Sequence, residues 1–186
     1  TSVFADLKAT ATNTSAHAVS SGTLKLTMAN DGAGFGQSVS NLVPGDIVHR
    51  YITLTNGGTL EGTGLTITAS AAVASKLTTD GTNGLQVQIE RCTVAWNTGA
   101  GTCSGTKTTP VSSTSLASII SSPASFSGLG DLASGAVLYL RMTVSLPNQT
   151  ETTVNGTLPA GTIQGLTASL TWTFQETQLT ATEGDA

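Results

Sequence analysis

Apolar residues recur at every second position through most of the patterned segments, the period of a strand with one buried face. Val3, Ala5, Leu7 and Ala9 alternate with Phe4, Asp6 and Lys8 and predict a first strand. Residues 11–20 are small and polar and read as a linker. Leu24, Leu26 and Met28 alternate with Thr23, Lys25 and Thr27 in a second strand. Residues 30–37 hold three glycines and predict a loop, followed by a short strand around Val39 and Leu42. Pro44-Gly45-Asp46 is a turn, because proline presets φ and glycine supplies a positive φ. A long strand spans 47–55 and ends in the turn Asn56-Gly57-Gly58.

Further strands are predicted over 65–69, 85–90, 136–146 and 165–177. Short helices are expected over 71–77 and 115–121, the second ending before Pro123. Residues 147–151 read as a loop and 180–186 as a tail without strand signal. About eight strands with frequent turn signals predict an all-β sandwich or barrel, with a two-sheet jelly roll preferred. A division follows into a segment over 1–20, a jelly-roll domain over 21–178 and a tail over 179–186. Its 186 residues suffice for one core without reliance on disulfides.

Charge is sparse. Only 10% of residues are charged, against about 25% in an average soluble domain, and Ser, Thr and 21 glycines take their place. Few like charges then oppose close packing of copies. Net charge is −4, and the seven Lys and Arg form no basic run, which argues against nucleic-acid partners and anionic membrane surfaces. No apolar stretch is long enough to be a membrane-spanning segment. The first residue is Thr1 rather than Met, the mark expected of a processed, secreted chain.

Cys92 and Cys103 flank a turn at residues 96–101. A disulfide across this hairpin suits an oxidising, extracellular setting, and two free thiols are the alternative. Zinc would need two more soft ligands, and the histidines are His17 and His49 alone. Neither His nor any of the eleven carboxylates sits in a catalytic motif. His49 reads as an ordinary strand histidine and His17 as a solvated one. Asn30-Asp31-Gly32 opens like a calcium loop but lacks the later ligands, so a turn is expected. No enzyme, no cofactor and no metal site is expected.

The N-terminal strand has two readings: an edge strand of its own domain, or a donor that adds to the open sheet of a neighbour. The order of motifs bears on that choice. Phe4-Ala5-Asp6, Ser21-Gly22-Thr23-Leu24-Lys25-Leu26, Asn41-Leu42-Val43-Pro44-Gly45-Asp46 and Asn56-Gly57-Gly58-Thr59-Leu60 follow one another. This series resembles the TasA/camelysin family, as do residues 138–147 and 166–178, whereas 78–130 show no specific correspondence. The resemblance implies an exported jelly-roll protein among biofilm-matrix fibre subunits, akin to archaeal bundling pilins. It implies a donor strand of Ser2, Val3, Phe4, Ala5, Asp6, Leu7, Lys8 and Ala9 entering the next copy. The expected partners are further copies of the chain, head to tail, with lateral fibre contacts and a minor anchor subunit. A monomeric secreted adhesin or carbohydrate-binding module is the second reading, although aromatics are only 4% of the chain. A secreted peptidase is the third, without a metal-ligand motif to support it.

Overall fold

Ten strands and two short helices form two antiparallel sheets in a computed structural model that describes residues 8–12, 16–17, 26–31 and 42–179. The strands are β1 (Lys8–Thr12), β2 (Ala16–His17), β3 (Leu26–Asp31), β4 (Ile47–Asn56), β5 (Gly62–Ala71), β6 (Gln86–Cys92), β7 (Lys107–Ser115), β8 (Ala124–Ser125), β9 (Val137–Ser145) and β10 (Leu170–Gln178). One sheet has the order β2-β1-β10-β5-β8, the other β3-β4-β9-β6-β7. Inward residues of both sheets meet in one core, with Ile52, Leu54, Ile67, Ile89, Leu140, Trp172 and Phe174 among its buried members. The protein is therefore an all-β sandwich, as the two-residue periodicity predicts.

The strong alternations became strands. In β9, Leu138, Leu140, Met142 and Val144 are buried while the residues between them are not. The turn after β4 closes as its residues dictate. Asn56 is buried, its Nδ2 donates to the carbonyls of Leu60 and Leu132, and its Oδ1 accepts the Gly58 N–H. That network joins the end of β4 to the start of β5 and to Leu132, whose backbone bridges Gly62.

Several boundaries differ from expectation. Residues 11–20 are not a continuous linker, because Ala11, Thr12, Ala16 and His17 lie in β1 and β2. Beyond Ala9 the alternation continues only through Ala11, and alanine carries too little apolar surface for Thr10-Ala11-Thr12 to register as more strand. Residues up to 71 continue β5, so the first helix, α1, is confined to Lys76–Thr79. The second, α2 (Leu116–Ser121), lies where predicted, with Ser115 Oγ accepting the Ser118 N–H at 3.2 Å. The last strand starts at Leu170, after a loop in which Gly165 has a φ of 70°. Asn30 and Asp31 end a strand rather than form a turn, and Asp31 accepts a hydrogen bond from Thr53 at 2.6 Å.

β7 and β8 have no counterpart in the apolar pattern. β7 buries only Pro110 and Val111 and pairs with β6 alone, through two register shifts. An edge position tolerates the proline's missing N–H. β8 is two residues long and pairs with the middle of β5.

Candidate functional site

The N-terminal strand lies in a seat formed by β10. Lys8 to Thr12 pair residue by residue with Thr177 to Thr173, so β10 carries β1 on one side and β5 on the other. Among the described residues only β2 lies beyond β1, contributing the pairs Thr10–His17 and Ala11–Ala16. Of the proposed donor residues, Lys8 and Ala9 belong to this strand. Ser2, Val3, Phe4, Ala5, Asp6 and Leu7 lie outside the described residues.

The inward face of β10 presents Trp172, Phe174 and Glu176, all buried. Glu176 lies at a bulge, where the register with β5 shifts between Gln175 and Thr177. Burial pushes its carboxyl up to about 7, from an ordinary value of 4.5. The alternation of β10 was legible in the sequence, and it places Glu176 on the inner face. Read for motifs, however, Glu176 was merely one of the carboxylates without a partner motif.

A second cluster covers the outer face of the other sheet. Cys92 and Cys103 are joined by a disulfide with a Cα–Cα distance of 5.8 Å. Their hairpin folds Trp96 against Tyr51, with ring centroids 5.9 Å apart, and Trp96 Nε1 donates to the Tyr139 carbonyl at 3.0 Å. The Arg141 guanidinium lies 4.4 Å from the Trp96 ring centroid, donates to the Gly101 carbonyl and makes a double hydrogen bond to Glu90 Oε2. Lys107 reaches the other Glu90 oxygen at 2.8 Å. Burial raises the Glu90 carboxyl, but the hydrogen bonds and charges of Lys107 and Arg141 outweigh it, so the net displacement is downward. Trp96, Gly101, Thr102, Cys103, Lys107 and Arg141 line an open groove of about 280 Å³. Trp96 was expected in a turn and is instead the centre of this cluster. Glu90 and Arg141 are 51 positions apart, so no local motif joins them.

The remaining chemical groups are held by local structure. His49 Nδ1 lies 3.0 Å from Thr143 Oγ1. Burial lowers its basicity, the Arg141 charge lowers it further, and Glu90 partly opposes both. Asp80 accepts the N–H groups of Thr82 and Asn83, and Glu151 accepts the Ile163 N–H and the Thr162 hydroxyl. His17 and His49 stand on different sheets. Among the described residues no group of three or more His, Cys, Asp or Glu could hold a metal ion. No helix is long and apolar enough to cross a membrane, again among the described residues.

A family model described as camelysin metallo-endopeptidase matches residues 2–183. The chain belongs to this family. The matched span includes residues 78–130, where the sequence alone showed no specific correspondence, so the disulfide hairpin lies inside the family domain. No curated protein matches the chain. The family description implies a catalytic metal, commonly held by three protein ligands. The described residues do not fit one: both cysteines are in the disulfide, Glu90 is engaged by two cations, and His49 belongs to no group of three or more His, Cys, Asp or Glu.

Proposed function

We propose that the protein is a secreted structural subunit of an extracellular fibre, in a biofilm matrix or a pilus-like filament. Copies polymerise by donor-strand complementation, each N-terminal strand entering the sheet of the next. The observation that carries this reading is the seat on β10. A nine-residue strand, continuous with the core through Trp172 and Phe174, is closed on one side by five residues of β1 and a two-residue β2. Lifting β1 leaves an unpaired ladder that a strand from another copy can complete. Such a contact is heterologous and does not close on itself, so it propagates as a filament.

The segment carrying Ser2 to Ala9 supplies Val3, Phe4 and Leu7 as apolar anchors. Each is worth about 1.5–3 kcal/mol on full burial. The strand orders β1-β10-β5-β8 and β4-β9-β6-β7, with β2 and β3 as added edges, support the jelly-roll reading. Family membership supports the same conclusion.

Electron microscopy of the secreted material tests the proposal, alongside a chain lacking residues 1–9. Filaments in the full chain and folded monomers in the truncated one are expected. Filaments that persist after the deletion would refute donor-strand assembly. A synthetic peptide of residues 1–12 should bind a core lacking those residues saturably and cap filament growth.

A further inference from the structure

Glu176 places an ionisable group where the described residues offer it no partner. The side chain is 1% exposed, and neither carboxyl oxygen has a hydrogen-bond partner among the described residues. On one flank stands Gly62, where a Cβ would fall 2.4 Å from the carboxyl carbon. On the other flank Ala9 of β1 is in register with Glu176. The carboxyl thus occupies space left by a residue without a side chain, beside the strand that the fibre reading exchanges.

Among the described residues no neighbouring charge compensates it. β5 contains no titratable residue. In β1, Lys8 is in register with Thr177, one position away. Glu61 and Asp131 belong to the segments bordering Gly62, and both are acidic. From the opposite sheet, β3 packs against β1, and its one acidic residue, Asp31, is engaged by Thr53. Burial displaces the Glu176 carboxyl, with no contribution from a neighbouring charge among the described residues.

We propose that Glu176 is a proton-operated latch on the N-terminal strand. The neutral carboxyl permits the closed seam between β1 and β10, and ionisation favours lifting β1 so that the carboxylate reaches water. An unpaired buried carboxylate is costly, and lifting β1, whose Ala9 is in register with Glu176, opens that flank of the carboxylate to water. Strand release stands on the seam itself, whereas its use to control assembly rests on the fibre reading.

Linkage sets the size of the effect. A group that titrates near 7 when closed and 4.5 when open makes opening easier as pH rises between those values. Between roughly pH 5.5 and pH 8 the opening constant rises by up to about 30-fold.

Hydrogen exchange of the full chain, corrected for intrinsic rates, measures this at the β1 amides. The wild type should lose protection at β1 over that range, and Glu176→Gln should not. Equal pH dependence in both proteins, or none in the wild type, overturns the latch. A carboxyl-carbon NMR titration of the unaltered protein provides an independent measurement, also decisive should Glu176→Gln fail to fold. A Glu176 midpoint near 4.5 overturns the proposal, and one near 7 with β1 amides shifting in step supports it. Imaging the same samples separates the two ideas. Filaments without a pH-dependent seam remove the latch alone, and a pH-dependent seam without filaments removes the fibre reading alone.

Discussion

Replacing Arg141 with Met keeps an apolar stem beside Trp96 and removes the guanidinium. Three interactions end together: the double hydrogen bond to Glu90, the bond to the Gly101 carbonyl and the cation–π contact. The side chains of Arg141 and Glu90 are 14% and 7% exposed, so the charge left behind is a buried one. Breaking a buried pair costs about 3–5 kcal/mol. Lys107 remains on Glu90, but its side chain is 50% exposed and it acts partly through solvent. We therefore expect Arg141→Met to destabilise the fold by about 2–3 kcal/mol, or about 5–10 °C in Tm for a chain of this size. Combining Arg141→Met with Glu90→Gln should recover much of the loss, because the second change removes the unpaired charge. Urea unfolding of the wild type, both single variants and the double variant measures the coupling. Trp96 fluorescence in a Trp172→Phe background reports whether the hairpin still covers the sheet. A single-variant loss below about 0.5 kcal/mol would sink the reasoning, since it would mean that solvent already reaches Glu90.

Reducing the Cys92–Cys103 bond, or replacing both cysteines with Ser, should cost about 2–3 kcal/mol, the loop-closure value for a separation of eleven residues. Circular dichroism should still show a folded sandwich, because the hairpin retains the Trp96–Tyr139 and Arg141–Gly101 hydrogen bonds. Gly62→Ala drives a methyl group into the Glu176 carboxyl and should destabilise by about 1–3 kcal/mol in denaturant unfolding. Adding Glu176→Ala should relieve most of that loss, and additivity of the two changes would refute the contact. Stability should also fall on both sides of mildly acidic pH. Glu176 is raised in the fold, so its contribution is full below 4.5 and is lost as pH rises towards about 7. Glu90 is lowered, so its contribution is present above 4.5 and is lost as pH falls through its folded value. Unfolding measured across pH should lose the neutral-side decline in Glu176→Gln and keep the acid-side one.

Strand legibility followed burial. Residues 47–55, 85–90 and 136–146 alternate strongly because one face of each strand meets the core, and each is a strand in the fold. β7 was not legible, since an edge strand with two buried residues imposes little pattern. The helix placed over 71–77 was displaced because β5 continues to Ala71, a choice made by its pairing with Leu170 rather than by local propensity. The cysteine spacing suggested a covalent link, and in the structure the two are bonded. The cap that this link holds down was not visible, because its members come from β4, β6, β9 and a hairpin.

By itself the sequence determined the two-residue period, the turn at Asn56 and the family motifs, because these depend on neighbours within a few residues. It also predicted the last strand, over 165–177. Only the tertiary structure decided that Glu176 is buried beside Gly62, in register with Ala9, with a carboxyl that has no hydrogen-bond partner among the described residues. It alone decided that β1 closes on β10, about 160 residues away along the chain. Such pairings are set by which edges remain open once the core has formed, and that condition belongs to the whole fold rather than to any segment.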